Sequence, residues 1–114
     1  MSDQDHASKD TSIDELTRAF EKRIWETVRD SPKKCGGYHP GIFRQMIADK
    51  GPLDTVKQLL RTPHLSEGFE TLVMCNHPEL TAEAVACDRR WSCLFTKAEI
   101  DTARKRLAAV GYFP

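Results

Sequence analysis

The residues of this chain best suited to chemistry are its cysteines and histidines, because both types bind zinc. Three pairs of them stand close in sequence, but none has the C-x2-C spacing that is typical of a zinc knuckle. The pairs are Cys35 with His39, Cys75 with His77, and Cys87 with Cys93. A tetrahedral site needs four converging ligands, and the apolar neighbours of the last pair indicate simple burial. We therefore expect no metal site and no cofactor.

Catalysis has less support than metal binding. A thiolate nucleophile needs a base in contact with it and a third group that orients the base, and the nearness of Cys35 to His39 in sequence does not supply that geometry. Gly36-Gly37 lacks the Lys and Ser/Thr of a phosphate-binding loop. Most acidic residues stand at expected helix starts, where capping and the helix dipole favour them, or at positions expected to face solvent. The sequence predicts no catalytic residue and a protein that is not an enzyme.

Charge is the feature that bears most directly on binding. The 17 Lys and Arg balance the 17 Asp and Glu, yet the stretch 62–88 carries five acids and no Lys or Arg. The stretches 33–61 and 89–114 each carry six basic residues against two acids. Separated charge of this kind can steer a charged partner even when the net charge is zero.

Nucleic-acid binding is the preferred hypothesis. Two expected helices, 40–50 and 53–61, meet at a Gly51-Pro52 turn, which is similar to a helix-turn-helix. Lys57 falls where such motifs usually bury an aliphatic residue, and a pI near 6.9 is low for a DNA-binding domain. The alternative is that each basic residue lies on a solvated helix face. The residues expected to contact phosphates are Arg44, Lys50, Lys57, Arg61, Arg89, Arg90, Arg104 and Lys105.

Protein–protein binding is the second hypothesis. The acidic stretch 62–88 interleaves apolar residues with its acids, so it could dock on a basic partner or on another copy of the chain. The first helix carries a narrow apolar seam that either pairs with a partner or packs on this chain's own core. The residues expected to contact a protein partner are Glu67, Glu70, Glu79 and Glu83.

Helical signals follow one another along most of the chain. Residues 1–11 are polar and typical of a disordered tail, and a capping box from Ser12 to Glu15 marks the expected start of the first helix. The later helices are expected to begin at Pro40, Pro52, Ser66, Thr81 and Thr96. The sequence predicts an all-α fold, a compact bundle of five or six short helices, with residues 12–114 as a single domain.

The cellular location is expected to be the cytoplasm. The N-terminus lacks the basic and apolar regions of a signal peptide, and no run approaches the roughly 18 apolar residues of a membrane span. Because cytoplasmic thiols are usually kept reduced, the four cysteines are expected to be free.

A set of core, cap and turn residues supports a resemblance to a known domain. They are Tyr38-His39-Pro40, Phe43, Met46, Gly51, Leu59-Leu60, Gly68-Phe69, Leu72, Leu80-Thr81, Glu83, Leu94-Phe95-Thr96, Glu99, Ala103-Arg104 and Leu107. The block 38–112, about two thirds of the chain, resembles a small helical domain of uncharacterised bacterial proteins. Such a domain occurs alone or alongside restriction-type nucleases, which implies a role near nucleic acids or in bacterial defence. The resemblance supplies no catalytic residues.

Overall fold

The computed structural model describes the backbone of residues 2–114 and the side chains of residues 13–114. This part of the chain holds six α-helices, two 3-10 segments and no strand. The elements are α1 (Ser2–Lys34), α2 (Gly41–Lys50), α3 (Pro52–Arg61), α4 (Glu67–Met74), the 3-10 segment Pro78–Leu80, α5 (Ala82–Ala86), the 3-10 segment Arg89–Leu94 and α6 (Lys97–Ala109). The predicted all-α class is confirmed.

Two expectations concern the start of the chain. The tail of residues 1–11 and the Ser12 hydroxyl of the first capping box lie outside the residues whose side chains the structure describes. The assignment of residues 12–114 to one domain stays a prediction. Among the described residues, no helix has both the length and the apolar character that crossing a membrane requires.

Helix α1 contributes the centre of the main core. Phe20, Ile24 and Val28 are buried at a spacing of four residues, as one helix face requires. The Phe20 ring meets the Trp91 ring edge-on, with ring centroids 5.6 Å apart. The Trp91 indole N–H donates to the Val85 carbonyl at 2.7 Å, so this buried polar group has a partner. The apolar seam of the first helix therefore packs on this chain's own core.

Local signals account for the helix starts. Ser66, Thr81 and Thr96 each accept a hydrogen bond from the backbone N–H three residues later, as N-cap residues do. Gly51 has a φ of 89°, a conformation that favours glycine, and its N–H closes α2. Pro52 then begins α3. The expected turn between α2 and α3 is confirmed.

A disulfide links the end of α1 to the end of α4. Cys35 and Cys75 form this bond, with their Cα atoms 5.7 Å apart. The prediction that all four cysteines are reduced is wrong for these two, because the fold brings together helix ends that are 40 residues apart in sequence. Cys87 and Cys93 are free thiols.

Candidate functional site

A groove of about 740 Å3 lies where the end of α1 meets α2 and α4. A volume of this size fits a small ligand or the side chains of a short peptide. Residues after α1, on α2 and on α4 form most of its walls, and Leu59 and the start of α5 complete it. The larger apolar and aromatic side chains that line it are Tyr38, Ile42, Phe43, Met46, Leu59, Phe69, Leu72 and Leu80. We call this surface the groove.

The α2 wall of the groove is open to solvent. The Ile42 side chain is 77% exposed, and its neighbours Phe43 and Met46 are half-buried. On the same helix Ile47 is buried in the main core, so α2 divides its apolar residues between core and groove. An exposed apolar wall inside a concave surface is typical of a binding site.

Tyr38 and Glu67 lie close together, and both line the groove. The Tyr38 hydroxyl lies 2.6 Å from the position that a Cβ atom on Gly68 would take, so glycine is what permits this approach. Glu67 precedes that glycine in the first turn of α4 and is exposed. Burial and, to a smaller degree, the charge of Glu67 raise the pKa of the Tyr38 phenol. The phenol is therefore neutral near pH 7.

Glu83, one member of a buried ion pair, also lines the groove. Glu83 is 1% exposed, and Arg106 Nη1 donates to its Oε2 atom at 3.1 Å. The same guanidinium donates to the backbone carbonyls of Leu59 and Thr62. Burial raises the pKa of Glu83, although Arg106 acts in the opposite direction. Glu83 was expected on a protein-binding surface, but its carboxylate is buried and directed inward toward Arg106 of α6.

The other acidic residues expected to bind a partner occupy different surroundings. Glu67 lines the groove, whereas Glu70 is exposed one turn further along α4 and does not line it. Glu79 is half-buried, with its Oε2 atom 3.0 Å from His77 Nδ1. The four glutamates therefore do not form one surface.

Three of the eight expected phosphate-binding residues share a second concave surface. Lys50, Lys57 and Arg61 line a shallow depression of about 380 Å3 at the α2–α3 corner, together with Asp54 and Gln58. The Lys50 ammonium donates to the Gln58 side-chain oxygen. We call this surface the basic depression.

Glu99 offsets two of the charges in the basic depression. Its carboxylate is 2.9 Å from Lys57 Nζ and 3.3 Å from Arg61 Nε, and the residue is buried. Burial raises the pKa of Glu99, but the hydrogen bond from the Thr96 amide and the charges of Lys57 and Arg61 outweigh it and hold the pKa below its usual range. The spacing of Thr96 and Glu99 is that of a capping box, but nothing local in the sequence shows that the Glu99 carboxylate also reaches α3.

The remaining basic residues lie elsewhere. Arg90 binds Asp88, with Nη2 3.0 Å from Oδ2, and its guanidinium carbon is 4.4 Å from the Trp91 ring centroid. Arg104 lies near the end of α5, beside Cys87. Burial raises the pKa of the Cys87 thiol, and the charge of Arg104 acts in the opposite direction. The five basic residues that remain of the predicted set are all exposed: Arg44, Arg89, Arg90, Arg104 and Lys105. None of these five lines the basic depression.

The Cys and His residues are not gathered for metal binding in the described part of the chain. Residues 13–114 contain no group of three or more His, Cys, Asp or Glu side chains placed to hold a metal ion. Cys35 and Cys75, two of the candidate ligands, are instead bonded to each other.

Comparison with known proteins does not add to this picture. No protein-family model, curated protein or solved structure matches this chain. The resemblance of residues 38–112 to the bacterial helical domain stays a prediction.

Proposed function

We propose that this chain is a non-enzymatic binding module that holds a peptide segment of a partner protein in the groove. The observation that carries the proposal is the solvent-exposed wall of α2, where Ile42 projects beside Phe43 and Met46. Burying an isoleucine side chain stabilises a complex by about 1.5–3 kcal/mol. A partner that covers this wall gains most from Ile42, since the other two side chains are already half-buried.

Two hydroxyls that line the groove, those of Ser31 and Thr81, already have hydrogen-bond partners in the fold. The Ser31 hydroxyl donates to the Thr27 carbonyl within α1. The Thr81 hydroxyl donates to the Pro78 carbonyl at 2.7 Å and accepts from the Ala84 amide at 3.1 Å. Both hydroxyls are thus engaged by neighbouring backbone groups and are not paired with a base.

A random peptide library panned against the immobilised protein tests the proposal. Peptides that bind the groove should bind the Ile42→Glu variant about tenfold more weakly, because the charge would have to be buried beneath the peptide. Met74→Glu is the matched control, since Met74 is 87% exposed on α4 and does not line the groove. Selected peptides that bind both variants as tightly as the wild type would contradict the proposal.

Nucleic-acid binding through the basic depression is the second candidate function. The observation in its favour is that Lys50, Lys57 and Arg61 line one surface. It ranks second because Glu99 offsets two of these charges. In this candidate the protein is an accessory of bacterial defence or restriction, as the resemblance implies, and it acts in the cytoplasm.

Salt dependence tests the second candidate. Affinity for duplex or single-stranded DNA or RNA should be greatest at about 50 mM salt and should fall steeply as salt rises. Arg61→Gln should weaken binding because it removes a positive charge. Glu99→Gln should strengthen binding, because the charges of Lys57 and Arg61 are then no longer offset by a carboxylate. Absence of binding to all of these nucleic acids at about 50 mM salt would rule the candidate out.

A further inference from the structure

We infer that the peptide bound in the groove carries a Lys or Arg beside its apolar side chains, and that Glu67 and Tyr38 bind this cation. The inference rests on the proposed function and deepens it, because it states the chemistry of the partner. It follows from which charges around the groove are already paired and which are not.

The carboxylates near the groove differ in their partners. Glu83 is buried against Arg106 and contributes no net charge to the groove. Glu79 contacts His77 and is influenced by the charge of Lys34. Among the described residues that line the groove, Glu67 is the carboxylate that has no ion-pair partner and is open to solvent.

The sequence around Glu67 adds to the negative charge of this part of the surface. The stretch 62–88 contains no Lys or Arg, and Glu70 adds a second exposed charge one turn further along α4. A Lys or Arg of a partner segment in the groove therefore meets the exposed carboxylate of Glu67, while Glu70 lies outside the groove. Complementary charge of this kind speeds association and rejects acidic segments.

Tyr38 provides the second half of the cation site. Its hydroxyl packs on the first turn of α4 at Gly68, next in sequence to Glu67, and its half-buried ring forms part of the groove wall. A Lys or Arg of the peptide can donate to the Glu67 carboxylate and to the phenol oxygen. The apolar side chains of the peptide then cover Ile42 and its neighbours on α2.

Charge reversal at two positions of α4 tests the inference with the library-selected peptides. Glu67→Lys should weaken binding about tenfold, because it places like charges together. Glu70→Lys is the matched control on the same helix outside the groove, and at about 150 mM salt it should change affinity less than about twofold. The selected peptides should share a Lys or Arg at a constant distance from apolar residues. Replacing that residue by Glu should restore binding to the Glu67→Lys variant.

The outcomes separate this inference from the proposed function. Peptides that lose affinity for Ile42→Glu, yet share no basic residue and bind Glu67→Lys normally, would overturn the inference and leave the groove as the binding site. Peptides insensitive to Ile42→Glu would overturn both. A wild-type dimer in sedimentation that Ile42→Glu dissociates would show that a second copy occupies the groove, which also overturns the inference.

Discussion

Lys57 Nζ lies 2.9 Å from Glu99 Oε1, and this contact joins α3 to α6. The same ammonium lies 5.1 Å from the centroid of the Phe95 ring, so its stem covers part of the core edge. Lys57 occupies the position where a helix-turn-helix usually buries an aliphatic residue, and here a salt-bridged lysine takes that place. The pair explains why the basic depression carries less free charge than its sequence suggests.

The ion pairs of Glu99 with Lys57 and Arg61 should make the free energy of unfolding depend on pH. Because the pKa of folded Glu99 lies below its ordinary value, the contribution of these ion pairs is present above the unfolded pKa and is lost as pH falls through the lowered folded pKa. Gln in place of Glu99 can keep the capping-box hydrogen bond but carries no charge. We expect the free energy of unfolding of the wild type to exceed that of Glu99→Gln by about 1–3 kcal/mol at neutral pH. This difference should approach zero in acid. Urea unfolding of both proteins from pH 7 to pH 3 measures this, and a gap that stays constant would refute it.

The buried Glu83–Arg106 pair should be the most sensitive polar contact of the fold. Arg106→Met leaves the Glu83 carboxylate buried without a partner, which should lower the free energy of unfolding by about 3–5 kcal/mol. Arg104→Met, an exposed position on the same helix, should change it by less than about 0.5 kcal/mol. The double variant Glu83→Gln with Arg106→Met should be more stable than Arg106→Met alone. Equal unfolding midpoints for the Arg106 and Arg104 variants would argue against the pair.

Opening the disulfide should destabilise the protein strongly. Cys35 and Cys75 are 40 residues apart, and a cross-link of that span stabilises a fold by about 3–4 kcal/mol in the chain-entropy account. We expect this loss in a variant with both residues changed to Ala and in wild type unfolded under dithiothreitol. Cys93→Ala removes an exposed free thiol and should leave stability unchanged. If reductant has no effect on the urea midpoint, the disulfide is not what holds α1 to α4.

A methyl group at Gly68 should disturb Tyr38. Gly68→Ala places a Cβ 2.6 Å from the Tyr38 hydroxyl, and the overpacking should cost about 1–3 kcal/mol despite the better helix propensity of alanine. Adding Tyr38→Phe removes the hydroxyl and should recover most of that loss. Gly41→Ala, where nothing lies within 4 Å of the new Cβ, is the control. The free energies of unfolding of these variants test this contact. A Gly68→Ala variant as stable as the wild type would contradict the packing of the Tyr38 hydroxyl on Gly68.

Much of the helical framework could be predicted because its signals are local. The caps at Ser66, Thr81 and Thr96 need only the residue and the amide three positions later. The corner at Gly51-Pro52 likewise follows from the conformational preferences of those two residues. Periodic apolar residues then indicate the buried face of each helix.

The candidate site could not be predicted in the same way, because it depends on which helix faces which. Apolar periodicity on α2 does not show that Ile42 lines a groove while Ile47 enters the core. Glu83 lies in a short, largely apolar helix, yet only the position of α6 shows that Arg106 reaches it. The Cys35–Cys75 bond requires the ends of α1 and α4 to meet. Each of these contacts joins residues far apart in the chain.

The most direct test of the central claim is a backbone amide NMR titration of the wild-type protein with a library-selected peptide. We predict chemical-shift changes at groove residues such as Tyr38, Ile42 and Gly68, with the amides of Lys50 and Arg61 in the basic depression unchanged. The same titration with a short DNA duplex distinguishes the two surfaces. Peptide-induced changes confined to the basic depression, or absent from the groove, would contradict the claim that the groove is the binding site.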